Sequence, residues 1–469
     1  MVLSGFMSQR AIWRTALLLG CLAWNCGRAA PSDVAGTLPE DLLPELKMIL
    51  GVALQRSPEV IAKEFERMTA EARLDMEKAG RLPQVRGDFN YATSQTATAA
   101  SSSSQTRDSG FFYNFGVNQA LFHWGELKNK ADAARLNILV QEKRYAQAYR
   151  DLSVKLRGAY LSLIVEKARL RQSREALAVL TNDVAVARAK KERGTVSAAA
   201  LASEELRLRE NTLDVDRAEA DFAANRRRFA RTAGLPDRDL PPERVADEIP
   251  APKYSEPQAS ALAAAFLRDN ARGSFEYEVY DLRLKEAVLR QKIEAVRLLP
   301  KIDANANYSL ENTTNVNGNI AEQRAVTRQT LGVGGSWAIF DGFATRGAKR
   351  EALVNKRALE QSKAVDIDLL LQNAQKLERD LKFDAEQLAL ADIRQGMSIE
   401  AHARISQEVG LGNLAKDAIA RAKVGILDAA VKTFAARAVY LQHWSEFVSL
   451  TTDDPVLTNL PARYVREKK

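Results

Sequence analysis

Cysteine is nearly missing from this sequence: there are two in 469 residues, Cys21 and Cys26, both near the amino terminus. No disulfide framework can form downstream of them, and no cysteine-based metal cluster either. Histidine is equally scarce. His123, His402 and His443 are far apart in sequence, with no partner ligands at metal-binding spacing, so neither a metal nor another cofactor is implied. Long uncharged apolar runs are lacking as well: no stretch of about 20 such residues occurs, which excludes a membrane-spanning helix on length. Proline is sparse, and six of the 14 (Pro236, Pro241, Pro242, Pro250, Pro252 and Pro257) crowd into one connection. The rest of the chain is free to run in long unbroken helices.

The formal charge is +8, but Arg10, Arg14 and Arg28 lie in a leader and the remaining charges are interleaved along helices. That pattern reads as solvated helix faces, and no basic cluster with stacking aromatics marks a nucleic-acid surface. Arg10 and Arg14, the apolar run from Ala16 to Trp24 and the small residues Gly27 and Ala29 read as a signal peptide over residues 1–29. Leu18, Leu19, Gly20 and Cys21 are similar to a bacterial lipobox, so Cys21 is a lipidation candidate. Both fates of Cys21, acylation or removal with the leader, stay open.

What is present is a repeat. The run GVNQALFHWGELKNKADAAR from Gly116 returns as GVGGSWAIFDGFATRGAKRE from Gly332, with Phe340 standing 218 positions after Phe122. Upstream, Leu82 and Pro83 correspond to Leu299 and Pro300. Downstream, Gly194–Ser197 corresponds to Gly410–Asn413. Two copies of one unit follow, residues 30–250 and 251–454, with a tail over 455–469.

In the first unit, Ser57, Pro58 and Glu59 spell a helix start. Period-2 alternation then predicts strands at about 83–98 and 110–122, separated by the serine-rich loop 96–109. Long helices are predicted at about 126–193 and 197–233. Leu156, Leu163, Leu170, Leu177 and Val184 recur every seventh position, as do Leu201, Leu208, Val215, Phe222 and Phe229, so the two helices pair as an antiparallel coiled coil. In the second unit one helix is expected over 259–298, strands at about 300–311 and 328–340 around a polar loop 312–324, and long helices at about 345–409 and 413–450. Gly194 and Gly410 are each placed to end an incoming helix in the left-handed conformation, and Ser197 and Asn413 to cap the outgoing one.

The strands have one apolar and one polar face, and Phe89, Tyr91, Phe111, Tyr113, Phe115, Tyr308, Val333 and Trp337 fall on the apolar one. Such alternation fits a lipid-facing barrel wall. Four strands cannot close a barrel, and two chains would give only eight, so three chains and twelve strands are expected. Gly332, Gly334 and Gly335 lie mid-strand and form no phosphate loop, and no catalytic constellation appears, so an enzyme is not expected.

In their order and two-fold recurrence, several segments resemble the TolC-like outer-membrane efflux proteins. They are Ser57–Val60, Leu82–Pro83, Gln119–Gly125, Ala159–Leu161, Leu299–Pro300, Ile339–Gly342 and Val409–Leu411. The resemblance implies a mostly α chain with a membrane β-barrel: a homotrimer with a twelve-stranded barrel in outer-membrane lipid and a helical tunnel across the periplasm. Its implied partners are a periplasmic adaptor protein and an inner-membrane pump, with no nucleic acid. By the same likeness Gly194, Thr195, Val196, Ser197, Val409, Gly410, Leu411 and Asn413 form adaptor-docking tips, with Val196 and Leu411 exposed. The sequence departs from the family at His123 and Trp124, which replace an Asp-Gly type turn. It departs also at Lys416 and Ile419, which stand where aperture acids are usual. The competing reading is a periplasmic coiled-coil scaffold or adaptor that transports nothing.

Overall fold

The computed structural model describes residues 38–98, 104–253, 256–317, 320–451 and 454–460. The expected signal peptide, with Cys21, lies outside the described residues. The first repeat runs α1 (Pro39–Leu42), α2 (Pro44–Arg56), α3 (Pro58–Ala79), β1 (Gln84–Thr98), β2 (Ser104–Phe122), α4 (Glu126–Glu192) and α5 (Ala198–Thr232). The second runs α6 (Glu256–Arg268), α7 (Phe275–Ala295), β3 (Lys301–Asn317), β4 (Ile320–Ser336), α8 (Ala344–Gly410) and α9 (Asp417–Leu450). In the tail, Pro455–Asn459 forms a 3-10 turn.

Helix starts follow the sequence where a hydroxyl is available. Ser57 accepts from the Glu59 amide ahead of α3, with Pro58 at the first helical position. The helix expected over 259–298 is instead two helices, broken where Asn270 and Ala271 take φ values of 51° and 53°. Ser274 then caps α7 by accepting from the Tyr277 amide, the same kind of cap that Ser57 makes ahead of α3. Both serines are fully buried.

The 67-residue helices α4 and α8 extend on the order of 100 Å each at 1.5 Å per residue. No single partner is that long, so each packs against two shorter helices in succession. Near the sheet, α4 packs on α3 and α7, and α7 on α8; farther away, α4 packs on α5 and α9, and α9 on α8. The lower wall is therefore the row α5–α4–α9–α8, and the upper wall the row α3–α4–α7–α8. The heptad positions are its glue: Leu156, Leu163, Leu170 and Val184 are buried, as are Leu201, Val215, Phe222 and Phe229 on α5. Asp384, which interrupts the heptad of α8, is buried with its Oδ2 2.6 Å from Nδ1 of His443 on α9. That histidine, isolated in sequence, has a partner 59 positions away.

Midway along the wall, the segments around α1, α2 and residues 240–249 wrap α4 and α9 and make the densest core, with Leu46, Ile49, Leu152, Tyr160, Leu240, Ile249, Trp444 and Phe447 in one cluster. Among the described residues no helix is long and apolar enough to cross a membrane.

The four strands form one antiparallel sheet in the order β1-β2-β3-β4. They are longer than their apolar patterns. Ladder pairing continues to Thr98 opposite Ser104 and to Asn317 opposite Ile320, so most of the polar segments expected as loops is strand. At its other end β4 stops at Ser336, which leaves Trp337 just beyond it. Among the described residues β1 and β4 each keep one edge that no other strand pairs.

Candidate functional site

The register decides which side chains share a face. Phe89 stands opposite Tyr113 and Tyr91 opposite Phe111; Tyr113 in turn faces Leu310, Phe115 faces Tyr308, and Ala304 faces Val333. Directly opposed residues of antiparallel strands point the same way, so these side chains form one continuous apolar surface across all four strands. The rings touch one another, with Tyr91 and Phe111 at 4.9 Å between centroids. No helix covers them: Phe89 is 83% exposed and Val333 70%. The reverse face holds Arg86, Asp88, Asn90, Asn114, Asp303, Asn305 and Asn307, with Arg86 Nε donating to Asp88 Oδ1 at 3.0 Å. The sheet thus presents aromatic rings on one side and polar or charged groups on the other, an alternation that fits a barrel wall between lipid and water.

Where sheet passes into helix, both repeats use two consecutive left-handed residues, Trp124 and Gly125 in the first and Gly342 and Phe343 in the second. Such φ values strain a side chain other than glycine's, so tertiary bonds must hold the turn. The Trp124 indole donates to the Pro300 carbonyl at 2.7 Å, and that of Trp337 to the Leu298 carbonyl at 3.0 Å. His123, in place of an acidic turn residue, sits 2.9 Å from Asp303 through Nε2. In the second repeat Asp341 accepts from the Thr345 amide and hydroxyl. Lys301 and Lys130 both pair with Glu126, tying β3 to the start of α4.

At the far end of the wall are the two hairpin tips. Gly194 has φ 75° and ends the first descent, Thr195 Oγ1 donates to the Lys190 carbonyl, and Ser197 accepts from the Ala200 amide. The second tip is built differently from expectation. Gly410 is still helical, Gly412 takes the left-handed turn at φ 81°, and Asn413 donates its amide to the Glu408 carbonyl. That 6→1 bond makes Asn413 part of the α8 terminus and not the cap of α9, whose first residue is Asp417. Leu411 is 66% exposed, whereas Val196 and Val409 are half-buried. Arg421 of α9 reaches Asp183 of α4 at 2.9 Å and Lys423 reaches Glu175 at 2.8 Å. Arg421 lies roughly 14 Å of helix rise from its tip and Asp183 roughly 17 Å from its own, whereas Lys423 and Glu175 lie roughly 17 Å and 29 Å from theirs, so the bridges tie α9 to α4 near the tips without setting the two tips at one level.

The sequence placed the left-handed turn at Gly410 where the structure has it at Gly412, and did not reveal the cap Ser274 or the bridges at Asp183 and Glu175. Only the first two carry a local signal, a second glycine two positions on and a serine ahead of an acidic first turn. Among the described residues no group of three His, Cys, Asp or Glu stands close enough to hold a metal ion.

Residues 49–234 match the family model described as outer membrane efflux protein. No curated protein matches the sequence. Solved structures do match in fold. The CmeC outer membrane channel of Campylobacter jejuni is similar at TM-score 0.67 and 13% identity over 87% of this chain and 86% of that one. The outer-membrane channel OprN is similar at 0.65 and 16%, over 88% and 90%. The outer membrane protein VceC of Vibrio cholerae is similar at 0.61 and 12%, over 87% and 96%. In its first repeat by sequence, and in both repeats by fold, the chain matches the TolC-like outer membrane efflux proteins.

Proposed function

We propose that three copies of this chain form an outer-membrane channel, the passive exit duct of a tripartite efflux or type I secretion system. It receives substrates from an inner-membrane pump through a periplasmic adaptor. The observation that carries this reading is a four-stranded sheet, apolar on one face and open at both edges, continuing into a wall of helices that is open at both edges too. Lipid tolerates no unpaired strand edge, so β4 of one copy pairs with β1 of the next until the barrel closes. The helical edges agree. Leu206 and Leu213 on α5, 59% and 64% exposed, and Leu390 and Met397 on α8, both 64% exposed, stand at heptad spacing with no partner helix of their own chain. Three copies bring each α8 against the α5 and α3 of its neighbour and make twelve strands. A scaffold or adaptor without a membrane phase would have no use for the bare aromatic face. Fold and family are those of channels, and catalysis has no place in this reading.

Two measurements test it together. The protein extracted in detergent should have the mass of three chains, and it should conduct ions in a planar bilayer. A stable monomer with its full β content, silent in the bilayer, would sink the proposal.

A further inference from the structure

Between the end of β4 and the start of α8 the second repeat exposes three large rings, Trp337 at 61%, Phe340 at 71% and Phe343 at 66%. Phe340 and Phe343 pack edge to face at 5.4 Å between centroids and form a small exposed apolar knob a few residues beyond the end of β4. Directly beyond them, Arg346 and Arg350 stand four positions apart on one side of the first turns of α8, with Lys349 beside them. All three cations are exposed, and among the described residues none of them has an ion-pair partner. They lie roughly 4 to 11 Å of helix rise past Phe343. That matches the headgroup layer, on the order of 5 to 8 Å deep on each side of a bilayer.

We propose that Arg346, Lys349 and Arg350 bind the phosphates of anionic phospholipids in the leaflet facing the periplasm, while Phe340 and Phe343 rest against the acyl chains. The proposal rests on the channel reading above and adds a lipid ligand to it. The first repeat shows that the arrangement is not a by-product of the fold. Aligned on Phe122 and Phe340, it has Lys128, Ala131 and Asp132 where the second repeat has Arg346, Lys349 and Arg350. Of the cations near this junction, Lys130 and, from β3 of the second repeat, Lys301 are moreover used internally on Glu126. A trimer thus offers three such sites and not six. Long basic side chains beside interfacial aromatics can lay their stems along the apolar boundary and reach headgroup oxygens.

The test uses the full protein in vesicles of phosphatidylcholine with one quarter phosphatidylglycerol, with lipids retained after gentle extraction counted by native mass spectrometry. The wild type is expected to keep phosphatidylglycerol in preference to phosphatidylcholine. Arg346→Gln, Lys349→Gln and Arg350→Gln combined should cut that preference by on the order of 100-fold, about 5-fold per charge. The charge-conserving pair Arg346→Lys and Arg350→Lys should keep it. Unchanged phosphatidylglycerol retention in the triple variant overturns the proposal. So does unchanged retention with altered ion selectivity, which would place the cations in the channel. Loss of the trimer in the triple variant overturns it too, because a neighbouring copy would then be what covers them. A wild-type protein that fails to insert or conduct would instead count against the channel reading.

Discussion

The guanidinium of Arg157, with no exposed surface, donates from Nη1 to Asp454 Oδ2 at 2.6 Å, and its Nε donates to Glu40 Oε2 at 2.8 Å. One buried cation on α4 thereby fastens the first and last described segments of the chain to the middle of the wall. Burial alone would raise the Asp454 carboxyl, but hydrogen bonds and charge from Arg157, with Ser449 and the Val456 amide, hold it below its ordinary value. A depressed carboxyl contributes stability that is present above the unfolded value of 3.8 and lost as pH falls through the folded one. Asp454→Asn should therefore cost about 3–5 kcal/mol at neutral pH, the usual loss on breaking a buried pair. The cost should shrink at pH 3, as thermal melting at the two pH values would show; equal cost at both would disprove the linkage.

Glu40 has the opposite sign. Burial outweighs Arg157 and raises its carboxyl above 4.5, so its contribution is fully present below 4.5 and is lost as pH rises through the raised value. Glu40→Gln should remove a gain in stability that the wild type shows on mild acidification within that window. The slope of melting temperature against pH reports it, and an unchanged slope would contradict the assignment.

How much of this was legible in the sequence depends on the range of each interaction. The heptads from Leu156 and Leu201 are local patterns, and the structure buries them as the period requires. The apolar strand faces were equally plain, because Phe89 and Tyr308 alternate with polar neighbours. The outer halves of the strands were not, since residues such as Thr93, Gln95, Thr313 and Gln323 are polar on both faces and carry no period. The break at Asn270 and Ala271 was marked locally by Asp269, Gly273 and Ser274, but the apolar helix-forming runs farther out on both sides masked it. Two glycines flank Leu411, and only the bond from Asn413 to Glu408 selects Gly412 as the left-handed one. Arg157 looks like any arginine in a helix until Asp454, 297 positions away, arrives beside it.

The register sets a sharp contrast on β2. Tyr113 shares the bare face with Phe89 and Leu310, so Tyr113→Arg should destabilise the protein in a bilayer by about 2–4 kcal/mol. Asn114 points the other way, between Asp88 and Ser309, and Asn114→Arg should be close to neutral. Folding titrations in lipid vesicles compare the two. Similar costs would mean that the sheet does not divide lipid from water along this line.

The open helical edges predict an assembly defect that spares the fold. Leu390 on α8 and Leu206 on α5 are solvated in a single chain, so Leu390→Glu or Leu206→Glu takes nothing from its own core. In a trimer each would put an uncompensated charge against a neighbouring apolar stripe. The expected result is a detergent-solubilised species of lower mass with unchanged helical content by circular dichroism. A variant that stays trimeric and conducts normally would place the copies differently.

The hairpin tips carry the last prediction. At 66% exposed, Leu411 is a large apolar side chain that its own turn cannot bury, while Val196 at the other tip is half-buried. If the tips only reverse the chain, Leu411→Asp should matter little anywhere. A negative charge at the end of α8 costs about 0.5 kcal/mol against the carbonyl end of the helix dipole. If the tips instead dock on an adaptor, the same substitution buries a charge in an apolar contact, and export should fail while trimer mass, melting temperature and bilayer conductance stay within error of wild type. Val196→Asp, by contrast, should lower stability as well, and so serves to separate folding from docking. Normal export by Leu411→Asp at wild-type protein levels would reduce this tip to a turn.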